Sequence, residues 1–184
     1  MQAARGASLT SSSPEQPPAE TPPVRAALAF VVAVVALVVD TVTKVLAVHH
    51  LQDRAPVQLL GHWVQLTFAR NPGAAFSTGT GYTPVITVVA IVAAVVVIWF
   101  VLRVRSLGWA WAFGFLLAGI LGNLADRMFR PPGPFRGHVV DFIEFPHWPV
   151  FNVADICINV AAVLILVQVV RGVHLDGSRE ARHG

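Results

Sequence analysis

Four stretches of this chain run almost without polar side chains for about the 20 residues a helix needs to cross a bilayer. They cover residues 24–48, 84–102, 107–125 and 150–170, and each predicts a membrane-spanning helix. Between the first two the pattern changes. Val64, Leu66 and Phe68 alternate with Gln65 and Thr67, the period of two that marks a half-buried strand. Val57 to Leu59 alternates in the same way, with Gly61-His62 as the turn between. The expected fold is an all-α membrane protein: four transmembrane helices with a small β-sheet lying on the membrane surface in the first outer loop. Residues 1–23 are rich in Ser, Pro, Glu and Gln without apolar periodicity, and read as a disordered N-terminal tail. Residues 24–170 form the four-span membrane domain, and residues 171–184 a short polar, cytoplasmic tail.

Composition agrees with this pattern. Hydrophobic residues make up 55% of the chain and charged residues 12%, half the globular norm of about 25%. So few charges cannot cover a water-facing surface. The net charge of +3 comes from arginines scattered at segment ends, which offers nucleic acid no patch. Four spans place both termini on one side. The only short loop wholly on that side, Arg103 to Arg105, is basic and carries no acid, so the termini are expected in the cytoplasm. Trp99, Trp109 and Trp111 cluster around this loop as an interfacial belt.

That orientation puts every intramembrane acid at the outer end. Asp40 and Lys44 are four apart on the first span and read as a structural ion pair. Gly114, Ala118 and Gly122 recur every four residues on the third span, a stripe that lets helix backbones touch. Asn123, Asp126 and Arg127 follow it. Asn152, Asp155 and Asn159 stand at i, i+3 and i+7 on the fourth. Asp141 precedes a turn holding Pro146, Trp148 and Pro149. In the first loop Asn71-Pro72-Gly73-Ala74-Ala75-Phe76 breaks the strand, either as a simple turn or as the wall of a groove that needs close backbone approach. Two carboxylates held together at a membrane edge cannot both ionise cheaply. They would share a proton near neutral pH, one member activating water while the other donates to a peptide carbonyl. From the residues alone, Asp141 and Asp155 could form such a pair. On chemistry alone the more ordinary reading is that each is a structural partner for Arg127, Lys44 or the asparagines.

Taken in order, Asp40-x-x-x-Lys44, Asn71-Pro-Gly-Ala-Ala-Phe76, Gly122-Asn123-x-x-Asp126-Arg127, Val139-Val-Asp141-Phe142 and Phe151-Asn152-x-Ala-Asp155 resemble the lipoprotein signal peptidase family, signal peptidase II. The resemblance implies an aspartic endopeptidase of the bacterial inner membrane. It would remove signal peptides from diacylglyceryl-modified prolipoproteins, cleaving before the lipidated cysteine, with no cofactor. It makes Asp141 and Asp155 the catalytic pair. Asn71, Gly73, Asn123, Arg127 and Asn152 would bind substrate or steady the acids, and Asp40, Lys44 and Asp126 would be structural. Prolipoprotein, membrane lipid and globomycin-type inhibitors are the implied partners. The stretch between Arg127 and Asp141 is longer and richer in proline than the family's short link.

Other chemistries fit less well. His49, His50, His62, His138 and His147 fall on the outer side but lack ligand spacing with an acid or Cys, so no metal site is expected. Cys157 lies two residues from Asp155, about 200° around a helix, and its thiol points away from the pair. A small proton- or ion-coupled transporter using Asp40, Lys44 and Asp155 is the alternative function. Transporter sites lie near the midplane between repeats, whereas these acids crowd one end and no repeat is evident.

Overall fold

The computed structural model of the protein describes residues 25–61, 63–73 and 82–179. The N-terminal tail, His62, the Ala74-Ala75-Phe76 half of the loop motif and the last five residues lie outside the described residues.

The four apolar runs are helices: α1 (Ala26–Leu51), α2 (Thr83–Val101), α3 (Leu107–Phe129) and α4 (Val153–Val170). All four are long and apolar enough to span a bilayer. Many of their residues are Val, a weak helix former in water, but in hydrocarbon only a helix or closed barrel satisfies the backbone. In α3, 44% of the spanning window is buried, against 22% in each of the others, so α3 is the centre of the bundle. The small-residue stripe explains how α1 reaches it. A Cβ on Gly114 would meet Ala29 O and Val32 Cβ at 2.8 Å, and one on Gly122 would strike the Asp40 carboxylate. Gly119, on an adjoining face, accommodates Ala154 and Ile158 of α4. Deeper in the bundle, Ala29, Ala33, Val97, Val101, Ala110, Phe113 and Leu117 form one apolar cluster.

The expected sheet is present, with one difference. It has three antiparallel strands in the order β1 (Val57–Gln58), β2 (Gln65–Asn71) and β3 (Val139–Glu144). Only the first two belong to the first outer loop; β3 comes from the connection between α3 and α4. That strand begins with Val139, Val140, Asp141 and Phe142, all buried, so no apolar–polar alternation announces it. Its apolar residues Val140 and Phe142 pack with Ala47 and Leu51, seating the sheet on the end of α1.

Helix α3 runs a turn beyond the expected span and carries Asp126 and Arg127. The Pro-rich stretch is tied back onto this end: Gly137 N–H donates to Arg127 O at 3.0 Å and His138 N–H to Pro131 O at 3.1 Å. Thr87 of α2 donates its hydroxyl to Phe135 O at 3.0 Å. At the other end of the bundle, the chain after α4 folds back over the α2–α3 loop. Arg105 and Ser106 donate their N–H groups to Leu175 O, at 2.8 and 3.1 Å. The Trp109 indole donates to Val173 O at 2.8 Å, so this tryptophan pins the tail. Trp99 is half exposed and carries the Arg103 guanidinium over its ring at 3.8 Å, in keeping with an interfacial belt.

Candidate active site

Strand register and a helix cap bring the two aspartates together. Asn71 pairs with Val139 and Ala69 with Asp141, which makes Asn71 the diagonal neighbour of Asp141 on the same face. Its side-chain amide donates to Asp141 Oδ2 at 3.0 Å. After β3 the chain makes a loop and returns. Ile143 and Phe151 exchange backbone hydrogen bonds at 2.9 Å, which sets Asn152 beside Asp141. Asn152 then donates from Nδ2 to Asp141 Oδ1 at 2.6 Å.

Asn152 is also the N-cap of α4. Its Oδ1 accepts the Asp155 N–H and its own N–H donates to Asp155 Oδ2, both at 3.1 Å, completing a reciprocal capping box. One residue therefore holds both carboxylates. Asn123 of α3 adds a second link: its Nδ2 donates to Asp155 Oδ1 at 2.9 Å, while its Oδ1 accepts from Asn152 at 3.1 Å and from Lys44 Nζ at 3.0 Å.

Lys44, Asp40 and Asp126 fix the elements that carry this pair. Lys44 Nζ lies 2.9 Å from Asp40 Oδ2 and 3.1 Å from Asp126 Oδ2, with all three side chains buried. Asp40 accepts the Ala154 N–H at 2.8 Å, one residue from Asp155. Asp126 accepts the Val140 N–H at 3.1 Å, one residue from Asp141. Asp126 also pairs with Arg130, a partner that sequence reasoning did not single out. The i, i+4 spacing of Asp126 and Arg130 was the signal for it. The ion pair expected between Asp40 and Lys44 is thus part of a three-helix knot.

Arg127 is 91% buried, makes no hydrogen bond to either aspartate, and leaves Nη1 without a partner among the described residues. Gly73, at φ +108°, lies directly against it: a Cβ there would stand 3.4 Å from Arg127 Nη2 and 2.9 Å from Ile86 Cδ1. Both the left-handed backbone and the space require glycine here. The turn is closed by the Gly73 N–H, which donates to Asn71 Oδ1 at 2.8 Å. Asn159, the third member of the predicted polar stripe, does not join the site. It is exposed and donates to Asp155 O within its own helix. Cys157 is buried and borders an apolar groove with Val35, Val39 and Ile156. Among the described residues, no three His, Cys, Asp or Glu side chains are grouped to hold a metal ion.

Asp141 is 2% exposed. Burial pushes its carboxyl up from 3.8 to about 6, and the neighbouring charge of Asp155 pushes the same way. The hydrogen bonds from Asn71 and Asn152 oppose the shift by favouring the ionised form. A carboxyl poised near neutrality beside a half-buried second carboxyl can give and take protons.

The profile of the Signal peptidase (SPase) II family matches residues 32–171. The lipoprotein signal peptidase of Mycobacterium tuberculosis (strain ATCC 25618 / H37Rv) is 46% identical over 168 residues, covering 90% of this chain and 83% of that one. That of Rhodococcus jostii (strain RHA1) is 46% identical over 169 residues, covering 92% and 84%. Two bacterial membrane enzymes solved by the in meso method share the fold. The 2.3 Å structure has a TM-score of 0.74 at 24% identity over 89% of this chain and 99% of that one. The 1.9 Å structure has a TM-score of 0.72 at 25% identity over 83% and 98%. With nearly half its residues shared with lipoprotein signal peptidases along most of both chains, this multi-pass membrane protein belongs to the signal peptidase II family and is a peptidase.

Proposed function

We propose that the protein removes signal peptides from diacylglyceryl-modified prolipoproteins by an aspartyl mechanism, cleaving before the lipidated cysteine. The observation that carries this reading is the bridge through Asn152, which binds a carboxylate from strand β3 and one from the first turn of α4.

In this reading Asp141 and Asp155 share one proton. The ionised member draws a proton from water as it attacks the scissile carbonyl. The protonated member donates to the carbonyl oxygen, and a proton returns to the leaving amine. Burial is what keeps the shared proton in place at working pH, because ionising both acids in a dry site is costly. Either aspartate can serve as the base or as the acid in this scheme. The unpartnered Arg127 Nη1 is available to a carbonyl of the bound substrate. Gly73 lets the substrate strand lie close to that guanidinium. The site lies at the end of the bundle opposite the start of α1 and the end of α4; with the chain termini in the cytoplasm it would open at the outer face of the cell membrane. A lipid-bearing substrate and globomycin-type inhibitors would enter from the bilayer.

The test is to incubate the purified protein with lipidated and unlipidated precursor, with and without globomycin. Cleavage confined to the lipidated precursor and blocked by globomycin is expected. Equal cleavage of both forms would overturn the substrate assignment, and no cleavage of either would overturn the proposed reaction.

A further inference from the structure

At the end of the bundle away from the aspartates, a cleft of about 500 Å³ opens between the start of α3 and the end of α4. It is bordered by Ser106, Gly108, Trp111, Gln168, Arg171 and Arg179. Three observations give it an anion's chemistry. Arg171 and Arg179 make no ion pair among the described residues, and the nearby Asp176 carboxylate is occupied by Ser178, whose N–H and hydroxyl donate at 2.8 and 2.6 Å. Ser106, the N-cap of α3, makes no side-chain cap, so the first N–H groups of that helix keep no side-chain acceptor. Gln168 is 93% buried, lies flat against Gly108, and its amide has no hydrogen-bond partner among the described residues. Its side chain borders the cleft, where a ligand could engage the amide. The opposing helix end does not compete. The carbonyls of Val167, Gln168 and Val169 already accept N–H groups from Arg171, Val173 and Gly172 at 3.0 Å.

The surroundings identify the source of the anion. Trp111 is 42% exposed and Leu107 54% exposed at the rim, side chains suited to the boundary between headgroup and acyl chain. We propose that this cleft binds the phosphate of an anionic phospholipid from the leaflet opposite the catalytic pair. Gln168, the α3 N-terminus and the two arginines receive the phosphodiester, and Leu107 and Trp111 meet the first acyl carbons.

The test is native mass spectrometry of the full chain titrated with dioleoylphosphatidylglycerol, with dioleoylphosphatidylcholine and with inorganic phosphate. One phosphatidylglycerol should be retained in preference to phosphatidylcholine. Arg171→Gln/Arg179→Gln should weaken that binding on the order of tenfold or more, while still cleaving prolipoprotein, which shows that it is folded. Arg25→Gln/Arg103→Gln removes as much charge from the same end without touching the cleft, and should bind as the unaltered protein does. Equal retention of the two lipids, equal losses in the two double variants, or displacement of lipid by low-millimolar phosphate would each overturn the proposal.

Discussion

Asn152 serves two acids at once, and this separates its effects on fold and on chemistry. Its oxygen caps α4, a contribution of about 1 kcal/mol that serine could largely replace. Its Nδ2, which reaches Asp141, has no counterpart in serine. Asn152→Ser is therefore expected to insert and melt nearly as the unaltered protein does while turning over about 10- to 100-fold more slowly, read from cleavage rates beside a thermal melt in detergent. An unchanged rate would reduce Asn152 to a cap. The pH dependence follows from Asp141. Its carboxyl is raised to about 6, so it is mostly protonated below that pH and mostly ionised above it. Cleavage that needs the shared proton should fall as pH rises through about 6. Asn71 stabilises the ionised form. Removing its amide in Asn71→Ala should raise the Asp141 pKa further and move this alkaline limb to higher pH, which a pair of pH–rate profiles would show.

At the scale of elements, the ion-pair knot joins α1, α3, β3 and the start of α4 through few atoms. Lys44→Met would leave Asp40 and Asp126 facing one another in a buried site with no cation between them, at a cost of about 3–5 kcal/mol. Because Asp40 holds Ala154 and Asp126 holds Val140, the loss should reach activity as well as the melting temperature. A variant that melts like the unaltered protein would contradict the knot. The sequence made the helices legible because hydrocarbon leaves few options for a long apolar run. It made a close helix contact on α3 legible because small residues every four positions have few other uses, though not that α1 is the partner. Strand β3 was hidden by its burial on both faces: a run of Val139, Val140 and Phe142 has no alternation to read. Of the site, the aspartates and asparagines were legible from their ordered motifs. The two backbone bonds that orient them were not, since a carboxylate accepting a distant N–H leaves no mark in residue spacing.

For the molecule as a whole, one end of the bundle holds the polar network and the other is closed by the folded-back C-terminal segment. Residues 2–20 are rich in Ser, Pro, Glu and Gln without apolar periodicity, so their deletion is expected to leave prolipoprotein cleavage intact. A large loss would show that the tail docks. The Pro-rich stretch before Asp141 was the feature least explained by sequence. The structure gives it a role: it returns from α3 by way of Arg127 O and Pro131 O and delivers Val139 into the sheet opposite Asn71. Every element at that end therefore converges on Asp141 and Asp155, and these two residues are where the account is most exposed. Purified Asp141→Asn and Asp155→Asn should each insert and melt as folded proteins yet cleave diacylglyceryl prolipoprotein at least about a thousandfold more slowly. Near-normal cleavage by either one would contradict the catalytic pair.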